Sequence, residues 1–445
     1  LAIVDATYLY GSHHPFVAKL FAKLGLMLSR SLERFQFPQP GRHCGVFDVR
    51  TVGDSPAPTN YEMLVQLLNN PRQLDVIATR ARMAIVCLVH AISMLEAASL
   101  LGRAGVSLPE SHVGLASAII GAQATVQGAA KGTSPLGFVC PRAPEEFAVA
   151  VKAPATSDGD VVIQFPSDVT PQDIVALYKE LATAYHIYLI VQRAFALPSP
   201  AAGKKFALSV ERRSAQGDGP FINFLEAVFP HRRLQEATVP SYEQWFVASF
   251  LDSPERIAEE CVRMSRYVLG FDAVTPSAAF NVKWLNSWSN FLQLRRCYLE
   301  LAYALGCLGR HSERVDTLEN LVAESLHFYG FQAPDISLID TLLELASALG
   351  MLVEEAVRCA RDAGSKAPAR SHEEHELWTP EGLAQLAALH QRRIDVSRRA
   401  VSLSTQRHVA THVVAQQALT ELILAYDDAL MVDAAAMCRL QLASI

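Results

Sequence analysis

Charge is scarce in this chain, and lysine is nearly missing. Asp, Glu, Lys and Arg together make 19% of its 445 residues, where an average globular protein has about 25%. Of the 39 basic residues only nine are lysines. The formal net charge is −6 and is not gathered in one block: residues 1–200 carry 15 basic and 15 acidic side chains, residues 201–445 carry 24 and 30. No segment is strongly basic by count, so phosphate neutralisation is not the default use of this surface. The arginine excess is what a GC-rich coding sequence produces. Arginine's planar fork also suits buried ion pairs and subunit contacts better than lysine does.

Motifs of chemistry are missing as well. No Gly-x-x-x-x-Gly-Lys-Ser/Thr loop and no Gly-x-Ser-x-Gly elbow occur. Gly217-Asp218-Gly219 lacks the third glycine and the preceding strand of a dinucleotide site. The eight cysteines contain no Cys-x-x-Cys pair. Those at 87, 261, 297, 307, 359 and 438 fall in helical patterns among apolar neighbours and read as small core residues in a reducing compartment. His372 and His375 stand three apart beside carboxylates, but not in the His-Glu-x-x-His order of zinc hydrolases, and they lie in a polar linker that reads as a solvated turn. Asp427-Asp428 is a lone acidic pair, and His43-Cys44 are adjacent residues that point apart. His90 and His390 sit in apolar stripes and read as core or interface residues. The expectation is a protein with no catalytic residue, no cofactor and no metal.

The opening Leu-Ala-Ile-Val does not read as a basic-then-apolar leader. The most membrane-like stretch, Met83 to Gly102, contains His90 and Glu96. It falls short of the ~20 apolar residues needed to span a bilayer and reads as a buried helix, so no membrane partner is expected.

What the chain has in abundance is apolar helix. Hydrophobic residues make up 50% of it. Phe16, Leu20, Leu24, Leu28 and Leu32 recur every four residues and predict a stripe on a helix over 15–35. A helix over 71–102 is apolar on every side and belongs in the middle of its lobe. Thr170-Pro171 and Ser253-Pro254 are helix starts, an N-cap with proline behind it. Further helices are expected at 60–70, 112–130, 220–229, 241–251, 276–308, 312–328, 335–350, 351–363, 379–404, 405–430 and 431–443. Prolines punctuate 36–58 and 131–169, the second with short β-like runs such as Val161 to Phe165. The fold class is mainly α: two helical lobes with a minor β region and Pro-rich arms. Residues 1–200 form the N-terminal lobe with its β region at about 131–169, 201–240 a Pro-rich connection, and 241–445 the C-terminal lobe.

One short pattern repeats. Leu301-Ala302-Tyr303-Ala304-Leu305-Gly306-Cys307-Leu308 returns 44 residues later as Leu345-Ala346-Ser347-Ala348-Leu349-Gly350-Met351-Leu352. With Gly309 after it, the first copy resembles one tetratricopeptide hairpin. It departs from that family in its offset, which is not ~34 residues, and at Arg314, where the family has a small residue. The copies are therefore taken as two similar helix ends. In general architecture the chain is similar to helix-rich coat proteins of double-stranded RNA viruses, in its large apolar helices, Pro-rich arms and near-neutral charge.

The function expected is that of a structural, self-assembling protein: a viral capsid subunit in a shell around RNA, in the virion and host cytoplasm. The alternatives are a nucleoprotein coating single-stranded RNA and a cellular tetratricopeptide-like scaffold for protein partners. The partner is first of all a second copy, and RNA weakly and without sequence specificity. Arg392 and Arg399, seven apart and so on one helix face, are the candidate RNA contacts, with the doublet Arg295-Arg296.

Overall fold

Proline sets where many of the helices begin. In the computed structural model, five helices open on it: α2 (Pro15–Glu33), α3 (Pro71–Arg103), α4 (Pro171–Ala196), α5 (Pro254–Leu269) and α9 (Pro380–Arg407). A proline at the first helical position gives up an N–H that has no intrahelical partner anyway, and its φ is already helical. The other helices are α1 (Ala2–Tyr10), α6 (Trp288–Cys307), α7 (His311–Tyr329), α8 (Ile336–Ser365), α10 (Val413–Asp428) and α11 (Val432–Ala443). The structure describes residues 2–10, 15–33, 71–103, 108–109, 162–163, 171–196, 224, 254–269, 288–329, 336–365, 380–407 and 413–444. Nearly all of them are helical, so the chain is mainly α.

The minor β region is not supported. Among the described residues the only pairing is antiparallel, β1 (Leu108–Pro109) with β2 (Val162–Ile163), Leu108 opposite Ile163 and Pro109 opposite Val162. Two residues a side, one of them a proline without an N–H, make too few ladder bonds for a sheet layer. The rest of 131–169, the arm at 36–58, the connection at 201–240 apart from residue 224, and the expected helices at 60–70, 112–130 and 241–251 lie outside the described residues.

The chain divides into two compact units, one holding α1–α5 and the other α6–α11. In the first, α3 packs against both α2 and α4, and α4 against α5. The central turns of α3, from Ala84 to Ile92, are buried on every side, as the all-round apolar pattern requires. The helix α5, which composition puts with the C-terminal lobe, lies against α4. Tyr178 and Tyr267 rings meet at 4.6 Å, and the Cys261 thiol points at the Ala182 carbonyl oxygen at 3.9 Å. Its buried face, Ile257, Cys261, Met264 and Val268, is as one-sided as a helix face can be. A contact 79 residues distant in sequence leaves no trace in composition. Residues Asp173–Arg193 of α4 are long and apolar enough to cross a membrane by length and composition, and most of that stretch is buried within the protein.

The stripe on α2 is rotated from the one expected. Phe16 is half exposed, and the buried row runs Val17, Phe21, Gly25, Ser29, Leu32. The row is offset by one position, about 100° around a helix of 3.6 residues per turn, and the real contact uses small residues to bring the helices close. A Cβ on Gly25 would stand 2.7 Å from Leu88 Cγ and 3.3 Å from Cys87 Cβ. One turn on, the Ser29 hydroxyl donates to Glu180 Oε2 of α4 at 3.1 Å.

In the second unit each helix packs on the next, α6 on α7 through to α10 on α11, and α8 also meets α10. The expected pair of helices at 335–350 and 351–363 is one continuous helix, α8, so Gly350 does not end a helix. The core is built by Leu338, Ile339, Leu342 and Leu343 of α8, Ala400 and Leu403 of α9 and Ala418 of α10, with Val322 and Leu326 of α7 against them. Each fully buried leucine or isoleucine there contributes about 1.5–3 kcal/mol.

Gly25→Ala tests the α2–α3 approach. In an open helix the change stabilises by about 1 kcal/mol. Here a Cβ would overlap Leu88, which is fully buried, so urea unfolding is expected to show a loss of about 1–3 kcal/mol. A gain would mean that the helices are farther apart.

Candidate functional site

The densest polar chemistry in the described residues lies between the helices of the second unit, and arginine supplies it. Arg314 stands one turn into α7 with 2% of its side chain exposed, and its Nη2 donates to Glu344 Oε2 of α8 at 3.3 Å. Among the described residues Arg314 Nε and Nη1 and Glu344 Oε1 find no hydrogen-bond partner. The residue that breaks the tetratricopeptide pattern is therefore half of a buried ion pair whose other half comes 30 residues later.

Arg393 of α9 is the second centre. Its Nε and Nη2 both reach Glu421 Oε1, at 3.3 and 2.8 Å, and its Nη1 binds Asp428 Oδ2. All three helices α8, α9 and α10 meet at this side chain, because the guanidinium rests on Gly350. A Cβ there would lie 2.8 Å from Arg393 Cζ. Burial works against the charge of Arg393, and Glu421 and Asp428 outweigh burial, so its pKa is held above the ordinary arginine value. Three residues before it, His390 is half-buried. Burial pushes its pKa down, Asp428 raises it and Arg393 lowers it further, with a net fall below the ordinary histidine value. His311 at the start of α7 is lowered in the same way, by burial first, with Glu355 opposing and Arg314 and Arg358 adding to the effect.

Three of the four arginines singled out as RNA contacts are paired with carboxylates. Arg295 of α6 lies 3.8 Å from Asp340 of α8, with 14% of its side chain exposed. Arg296 donates to the fully buried Glu300 one turn along α6 at 3.0 Å. Arg392 of α9 is exposed and bonded to Glu319 of α7. Arg399 is half-buried. The spacing of seven does not give Arg392 and Arg399 equal exposure, and three of the four are engaged by carboxylates. Beside them Arg398 donates from Nε to Tyr426 Oη at 2.8 Å, and its guanidinium carbon lies 5.5 Å from the centre of that ring.

Sequence reading missed Arg393, Gly350 and Glu421. One signal was available. Arg393 continues the row of Ser397, Ala400 and Ser404, all buried, and a charged residue on a small-residue face marks a buried partner. The pair Asp427-Asp428 is also resolved: the two carboxylates point to different arginines, Asp428 to Arg393 and Asp427 to Arg439 of α11. His90 is buried edge-on against Phe21 at 4.5 Å. His372, His375 and the Pro-rich arms lie outside the described residues. Among the described residues no three His, Cys, Asp or Glu side chains gather where a metal ion would fit.

Chemically, this arrangement holds helices together. Breaking a buried pair strands the remaining charge and costs about 3–5 kcal/mol, whereas replacing both halves by apolar residues is often neutral or stabilising. Arg314→Leu alone is therefore expected to lower stability by about that much in chemical unfolding, and Arg314→Leu with Glu344→Leu to return to wild type or above. Additive losses in the double variant would show that each residue has other partners of equal weight.

Compared with known protein families, with curated proteins and with solved structures, the chain matches none.

Proposed function

We propose that this chain is a non-enzymatic assembly protein: a helical scaffold whose stacked hairpins hold a protein surface, beginning with that of its own copies. The observation that carries the reading is the run of six helices α6–α11, each packed on the next and tied across by arginine–carboxylate bonds. Stacks of this kind present long continuous surfaces and are built for contact. The α6–α7 hairpin supports it locally, because Leu308-Gly309 closes that turn with Gly309 at φ 70°, the conformation glycine adopts without penalty.

A shell-forming coat subunit is the more specific reading. It is favoured by the apolar surface that α11 leaves exposed; it keeps two helical lobes joined by the Pro-rich connection at 201–240, with the Pro-rich arms at 36–58 and 131–169 as contacts between subunits. In that reading RNA is enclosed rather than gripped, which suits arginines already matched by carboxylates.

Light scattering on the purified full chain, with its absorbance ratio at 260 and 280 nm, tests the proposal. Discrete self-association, or capture of a protein partner, with a protein-like ratio is the expected result; large closed particles select the coat subunit. A solitary monomer that turns over a small molecule would overturn both. If RNA co-purifies, Arg392→Ala with Arg399→Ala is expected to weaken it and to flatten the salt dependence by about two units of slope. Unchanged curves would remove those two residues from any RNA surface.

A further inference from the structure

We propose that the stack of α7 to α10 is an acid-sensitive joint: His311 and His390 stay neutral beside the buried Arg314 and Arg393, and a proton taken up by either imidazole loosens the helices around it. This depends on the fold of the second unit alone and not on what the chain assembles with.

The same arrangement occurs twice. Each of these buried arginines has a histidine three residues before it on its own helix, His311 before Arg314 on α7 and His390 before Arg393 on α9. That spacing puts imidazole and guanidinium on one helix face. His311 is 7% exposed, and His390 is half-buried. The Nδ1 atoms of both rings are buried and find no hydrogen-bond partner among the described residues.

The orphan Nδ1 favours one protonation state. A neutral imidazole can leave Nδ1 as a bare acceptor and carry its proton on Nε2, whereas an imidazolium carries an N–H at both nitrogens. At these two positions the added N–H meets no acceptor, out of reach of solvent and one turn from a guanidinium that is already charged. A buried charged donor left unmatched is costly. The neutral ring fits the closed stack. The charged ring fits one that has opened to let water reach Nδ1. Histidines placed in this way are a common means by which a fold senses mild acid.

The charges around each ring do not reverse this. Glu355 and Arg358 of α8 act on His311, with Arg314 beside it. The other helix packed on α7 is α6, whose charged residues are Arg295, Arg296 and Glu300, and the nearest of them lies two turns before its C-terminal end. His390 is faced by Asp428 of α10, whose carboxylate Arg393 already holds. Glu421 of α10 is held by the same guanidinium and Glu319 of α7 by Arg392. On the α8 side Arg393 fills the space over Gly350, and among the described residues no α8 charge acts on the ring. Each histidine therefore has one carboxylate drawing a proton to it and at least one guanidinium repelling it. Burial decides, and both pKa values lie below the ordinary histidine value. A ring exposed by opening returns toward that value, about 6.5. The stack is at full strength above about pH 6.5 and weakens as the pH falls below it.

Hydrogen exchange on the full chain at about pH 7.5 and 5.5, either side of the ordinary histidine value, tests this, with labelling times scaled to the intrinsic exchange rate. A proton taken up on opening shifts that equilibrium by up to about tenfold per pH unit. Protection in α7 to α10 is therefore expected to fall about tenfold at the lower pH in wild type. His311→Gln with His390→Gln, which keeps neutral polar side chains that take up no proton, should remove most of that fall. His327→Gln, on an exposed histidine of α7, should leave it as in wild type. Ring-labelled histidine NMR gives a second reading on wild type, with the two signals identified by their absence from the single variants: both are expected to titrate below about 6.5. Unchanged protection of α7 to α10 in wild type at the lower pH would overturn the proposal. So would an equal fall in the double variant, or titration of both rings at the ordinary value in the folded chain. None of these outcomes bears on the assembly reading, which is tested by association state.

Discussion

The second unit depends on a single kind of bond, an arginine of one helix held by a carboxylate of another. Hydrophobic burial supplies the bulk of its stability, but burial is non-directional and a row of leucines slides against another row at little cost. A guanidinium fork has fixed geometry and fixed partners. Arg295 with Asp340, Arg314 with Glu344, Arg392 with Glu319 and Arg393 with Glu421 and Asp428 link α6 to α8, α7 to α8, α7 to α9 and α9 to α10. These bonds set the register of the stack. Most are partly or wholly buried, where charge must be matched and arginine's fork serves better than lysine's point charge.

Gly350 shows how closely the backbone serves that bond. It lies inside a continuous thirty-residue helix, where glycine costs about 1 kcal/mol against alanine. The cost is offset by the room it leaves for Arg393, whose guanidinium joins three helices at one point. Gly25 plays the same part in the first unit, under Leu88. In both units a glycine leaves room for a side chain of a neighbouring helix.

Much of the helix content was legible because its signals are local. Pro171 and Pro254 mark starts, and an all-round apolar run gives α3. Other features were hidden because their causes are distant. The Ala-Leu-Gly pattern at 348–350 looks like a helix end, yet the helix passes through it and the room left by the glycine is taken by Arg393, 43 residues on. Arg314 looks like a flaw in a repeat until Glu344 is brought beside it. Arg392 was singled out by its spacing from Arg399, yet the buried network belongs to its neighbour Arg393, because spacing to another arginine does not say which residue faces the core. The stripe on α2 was misplaced for a related reason: counting large residues favours Phe16, while close packing favours Gly25 and Ser29.

If these bonds set the register, the helices they join should loosen together. Hydrogen exchange on Arg393→Met measures this directly. The account predicts that amides of α8, α9 and α10 lose protection as one cooperative group, although the substitution lies in α9 alone. Unchanged protection in α8 and α10, with loss confined to the turns around residue 393, would contradict it.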